Sequence, residues 1–178
     1  MRGSTSSTEH LSRRLVVVLP MSYDDARARY EAIVPTYDAS AFAHAKSWND
    51  TLDIAGVQAP HGFMLYARFD AAPMMVGSPS RGRATEYLMG NHTIAETMFR
   101  HDPGVLLHAP LRTLISAGDD DVTRFSVDQP SLQFASFGQP EIAAVGHRLD
   151  ALLAGVIALL GGDVPEQLES PADRVDPS

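Results

Sequence analysis

The chain has 178 residues, 44% of them hydrophobic and 20% charged, the length and make-up of one globular domain with a core of its own. It contains no cysteine, which excludes a disulfide framework, a thiolate nucleophile and any cysteine-held metal. The net charge is −8, no basic stripe runs along the sequence, and nucleic-acid binding is disfavoured because nothing would neutralise phosphates.

The first predicted element is a strand within Arg13 to Met21, built on the β-branched run Val16–Val18 and closed by Pro20. Ser22 then suits a helix N-cap, with Asp25 three residues on. Tyr30, Ile33 and Val34 supply that helix's buried stripe, and Pro35 ends it. Residues 35–62 read as an irregular insertion, with a helical turn at Ala39–Ala45 and another turn at Asp50–Ala55, because Gly56, Pro60 and Gly62 break any long element. Order returns at Phe63–Phe69, where apolar and polar residues alternate with period two. Pro73 to Gly82 is loop, Ala84–Met89 a strand, and Thr93-Ile94-Ala95-Glu96 a capping box opening a helix from Ile94 to about Arg100. Arg112–Ser116 and Val122–Val127 flank Gly118-Asp119-Asp120-Asp121 as a hairpin. A helix follows from Pro140 to Leu160, with Ile142, Val145, Leu149, Leu152, Val156 and Leu159 on one apolar face.

Residues 1–12 and 163–178 are expected to be flexible ends around a single domain, 13–162. The second end is acidic, with five acids against one base, Arg174. No segment approaches the run of about 20 apolar residues that spans a bilayer, and the N-terminus lacks the apolar stretch of a signal peptide. A cytoplasmic protein without membrane contact is the expectation. The element order, strands joined by hairpins with helices on one face, describes a two-layer α+β sandwich with a mostly antiparallel sheet.

Residues 84–130 carry a recognisable pattern: Tyr87-Leu88-Met89-Gly90-Asn91, then Thr97-Met98, Asp102-Pro103, Pro110-Leu111-Arg112 and Asp128-Gln129-Pro130. This resembles the domain of unknown function 302 family. His92 departs from it, standing where the family has proline. The resemblance implies a TATA-binding-protein-like α+β sandwich, often dimeric, and implies no activity, substrate or catalytic residue.

Among the residues themselves, His92 is the first candidate, beside Asn91 and near Glu96, between a strand end and a helix N-terminus where backbone N–H groups favour an anion. As a general base, a ligand anchor or a haem ligand it would carry the chemistry; otherwise Asn91 and His92 serve only the loop backbone. His44, with Trp48 close by in the insertion, is the second, as a base or as a haem ligand from one side. The plainer reading of Trp48 is packing. Arg68 and Arg112, at strand ends, are candidate carboxylate clamps, against the commoner alternative of surface ion pairs. No histidine pair has the spacing of a helical zinc site. Met64, Met74, Met75, Met89 and Met98 suffice for an adaptable apolar pocket. The leading reading is a small-molecule-binding domain, a homodimer, with its pocket between the sheet and the 35–62 segment. The alternatives are an enzyme using His92 or His44, with or without haem, and a protein interaction module.

Overall fold

A computed structural model describes residues 3–168. The strand β1 (Arg14–Val18) leads into α1 (Tyr23–Ile33), where the Ser22 hydroxyl accepts the Asp25 N–H as expected of the cap. Two helices, α2 (Ala39–Phe42) and α3 (Trp48–Gln58), precede β2 (Met64–Asp70), the one-turn α4 (Ala71–Met74) and β3 (Arg83–Gly90). Next come α5 (His92–Phe99), a 3-10 turn at Pro103–Leu107 and the hairpin β4 (Leu111–Ala117) and β5 (Thr123–Asp128). The chain closes with α6 (Pro130–Ala135), α7 (Pro140–Leu159) and a 3-10 turn at Glu166–Leu168.

The five strands form one antiparallel sheet in the order β1-β5-β4-β3-β2, so the α+β sandwich is the observed architecture. One sheet face is buried, through Leu15 and Val17, Tyr87 and Met89, Leu111 and Ile115, Phe125 and Val127. They pack with Ala26, Tyr30 and Val34 of the α1 region and with Ile142, Leu153, Val156 and Ile157 of α7. The other face carries Val16, Val18 and Phe69, all exposed, among polar neighbours.

Several expectations are corrected. The segment 35–62 is not irregular: the Ser47 hydroxyl accepts the Asp50 N–H and starts an 11-residue helix where only a turn was expected. Its apolar residues gave no stripe, because Leu52 and Val57 are exposed and only Ala55 in it is buried. The short α6 was not foreseen; Pro130 begins it directly after β5. On α7, Leu153 and Ile157 are buried while Leu159 is exposed, so the buried face is rotated from the expected one. By length and composition α7 is also apolar enough to cross a bilayer, contrary to the sequence reading, but here it lies along the core.

Residues 163–168, expected in the flexible end, pack onto the body. Leu168 is buried, and the Gln167 carbonyl accepts from Gln129 Nε2 at 3.0 Å. The rest of that expected tail, residues 169–178, lies outside the described residues.

Candidate functional site

A β-bulge creates the site. Between Leu65 and Ala67 the pairing of β2 with β3 slips, leaving Tyr66 as the extra residue. A bulge redirects a side chain that strict alternation would hold on one face. The segment after α1 reinforces this point: the Leu65 N–H donates to the Pro35 carbonyl, and the Tyr37 N–H donates to the Leu65 carbonyl, both at 2.9 Å. The phenol of Tyr66 thereby reaches the start of α5, where its oxygen accepts the backbone N–H of His92 at 3.0 Å and meets His92 Nδ1 at 2.8 Å.

Asn91, not Thr93, caps α5. Its Oδ1 accepts the Thr93 N–H at 3.0 Å and the Thr93 hydroxyl at 2.7 Å, while its Nδ2 donates to the Gly62 carbonyl at 3.1 Å. Asparagine caps at least as well as threonine, and one residue therefore both starts the helix and ties down the end of the 35–62 segment. Glu96, freed from the expected capping box, pairs with Arg100 one turn on.

Behind His92 lies a cavity of about 340 Å³ between the β2-β3-β4 end of the sheet and α5, α6 and α7, not against the 35–62 segment as expected, since no residue of that segment lines it. Phe63, Ile94, Met98, Leu111, Phe134 and Leu149 form much of its wall, and Tyr66, Asn91 and His92 are the polar residues on it. No Lys, Arg, Asp or Glu lines it. Gly90 permits the close approach there, since a Cβ at this position would stand 3.2 Å from Pro110 Cβ and 3.6 Å from Tyr66 Cε2.

Outside the cavity, an aromatic cluster holds the imidazole. Phe42 lies edge-on at 4.7 Å between centroids and Tyr37 at 5.8 Å, and Tyr37 stacks on Tyr66 at 5.0 Å. Burial lowers the His92 pKa below the ordinary imidazole value, because the charged ring would lose water with no acid nearby to replace it. Burial likewise raises the Tyr66 pKa, so the phenol keeps its proton.

The structure brings together Asn91 and His92 but not the other expected site residues. Glu96 points to Arg100. His44 is exposed, its Nδ1 3.3 Å from the Ser40 carbonyl, and Trp48 is half-exposed at the start of α3; neither lines the cavity, so a haem ligand at His44 would lack enclosing walls. Arg68 pairs with Glu31 at 3.3 Å and Asp70 at 3.0 Å, and Arg112 approaches Glu86 at 3.6 Å, so both clamps are surface pairs. Of the five methionines only Met98 lines the cavity; Met64 and Met89 are core, and Met74 and Met75 are exposed. Tyr66 and Phe134 were missed. No three His, Asp or Glu side chains converge to hold a metal among the described residues.

The model of the family described as "Domain of unknown function DUF302" matches residues 54–160, more than half of the chain. The chain belongs to the DUF302 family. The match begins inside α3, so residues 54–62 fall within the DUF302 pattern although they read as inserted. A crystal structure of an uncharacterized conserved DUF302 protein from Bacillus stearothermophilus superposes with a TM-score of 0.62 at 11% identity. The alignment covers 83% of this chain and 97% of that one, and at this identity it speaks for the fold alone. No curated protein matches the chain.

Proposed function

We propose that this DUF302 chain binds a small, largely apolar molecule in the cavity behind His92, with that histidine as its polar anchor. One observation carries the reading: an apolar cavity of about 340 Å³, within the size range of ligand pockets, has one imidazole at its rim whose Nε2 has no hydrogen-bond partner among the described residues. The interaction-module reading needs no such cavity. The enzyme reading needs a base, and His92 Nδ1 is already engaged by Tyr66. A homodimer, which the family resemblance implies, and a cytoplasmic location are parts of the same proposal; light scattering of the full chain reads the first directly.

The test is titration with the small neutral fluorophore 1-naphthylamine. Saturable enhancement is expected, weakened about tenfold or more in Ala95→Phe, which places a ring in the cavity from α5. Absence of saturable binding, or equal binding by a folded Ala95→Phe variant, would refute the reading.

A further inference from the structure

The chemistry of the ligand follows from where the protons lie. The Tyr66 oxygen already accepts the His92 N–H at 3.0 Å, and a phenol has a single proton to give. Directed at Nδ1, 2.8 Å away, that proton satisfies both partly buried groups; turned elsewhere, it would leave one of them without a partner. Nδ1 is then an acceptor and Nε2 bears the hydrogen. The unpartnered end of the ring is a donor.

The helix start next to it offers little to an anion. Of the first N–H groups of α5, that of His92 goes to Tyr66 and that of Thr93 to Asn91. No cationic side chain lines the cavity. Of the arginines near the site, Arg68 pairs with Glu31 and Asp70, Arg112 with Glu86 and Arg100 with Glu96. A carboxylate entering such a site would lose its water without gaining a counter-charge to replace it. An uncharged acceptor loses far less and gains the hydrogen bond that Nε2–H offers.

We propose that the ligand is an uncharged carbonyl compound with an apolar body, its oxygen accepting from His92 Nε2–H, and that the site discriminates against the carboxylate of the same length. This rests on the binding reading above. At about 30 Å³ for each water-sized group, the cavity holds roughly ten heavy atoms, so a nine-carbon chain is a suitable probe.

The experiment displaces 1-naphthylamine from the full-length chain at pH 8 with 2-nonanone and with nonanoate. The ketone is expected to bind about tenfold or more tightly than the carboxylate. The infrared carbonyl band of bound 2-nonanone should shift to lower frequency in the native protein and not in His92→Phe. Nonanoate binding as well as the ketone, or an unshifted carbonyl band, overturns this inference and leaves the cavity reading standing. Failure of the fluorophore itself to bind overturns both. A His92→Gln variant, which keeps an N–H donor, should retain part of the ketone's advantage over nonanoate and separates loss of the donor from loss of the fold.

Discussion

At the scale of single residues, the site depends on one phenol making two hydrogen bonds. Tyr66→Phe keeps the ring that stacks on Tyr37 but removes both the acceptor for the His92 N–H and the donor to Nδ1. A partly buried N–H left without a partner costs about 1–3 kcal/mol. Urea denaturation at pH 7.5 should therefore show Tyr66→Phe destabilised by about that amount. Nitrogen NMR should also change. The native imidazole should show one tautomer, with hydrogen on Nε2, whereas the variant should show a mixture. A variant with native stability and a single tautomer would mean that Tyr66 does not direct the histidine. Nothing in the single sequence marks Tyr66 for this role. In Phe63–Phe69 it reads as one more alternating strand residue, and only the slip in register between Leu65 and Ala67 sets it apart. His92 was legible because a histidine between a strand end and a helix start is an unusual use of an ionisable group. Its partner was not.

At the scale of elements, what the sequence displayed was what local rules determine. The Ser22 cap, the hairpin around Gly118-Asp119-Asp120-Asp121 and the Pro140 start of α7 depend on neighbouring residues, and the structure has them where the sequence predicts. What failed depends on distant partners. The face of α7 could not be chosen by period, because Leu152, Leu153, Val156 and Ile157 place apolar residues on more than one side. Contact with α6 decides it, at Gly146. A Cβ there would stand 3.0 Å from Ser131 Cα and 3.2 Å from Phe134 Cβ, so the two helices touch backbone to backbone. Gly155, on the same helix, has nothing within 4 Å of a Cβ. Alanine at Gly155 should stabilise by about 0.5–1 kcal/mol through helix propensity. At Gly146 overpacking of about 1–3 kcal/mol opposes that gain, and the net effect should be a loss of about 1 kcal/mol. Urea midpoints moving in opposite directions for the two variants are the expected result. Stabilisation by both would mean that α6 yields freely. Because Phe134 belongs to the cavity wall, Gly146→Ala should also weaken fluorophore binding whereas Gly155→Ala leaves it unchanged.

At the scale of the whole molecule, two histidines near the cavity make stability depend on pH in a definite direction. His92 faces Tyr37, Phe42 and Tyr66 and no charged group. His108 packs on Phe134 and Phe137 with the His10 ring 5.8 Å away. Both are lowered from the ordinary value of 6.5, His92 by burial and His108 by burial first and then by His10. Below pH 6.5 the unfolded chain therefore holds more protons than the folded one, and stability falls with pH. This contribution is complete above the unfolded value and is lost as pH drops through the lowered folded values. The aspartates act in a separate window. Hydrogen bonds from Arg83, Thr85 and Arg124 lower Asp24, Asp70 and Asp120 respectively, Asp120 to about 2. Their contribution is present above about pH 3.8 and disappears as pH falls through those lowered values. Urea midpoints taken from pH 7.5 to pH 3 should thus decline in two stages, the first beginning near 6.5 and the second near 3.8. Replacing His92 and His108 together by glutamine should flatten the first stage and leave the second intact. If the double variant retains the whole upper decline, the half-buried rings are not its source. The ligand adds a further expectation at the same scale. A carbonyl compound bound only by the folded state stabilises it, and both protonation states of His92 keep the Nε2–H that holds the carbonyl. Saturating 2-nonanone should therefore raise the urea midpoints of the native chain throughout the pH range and those of the double variant by less.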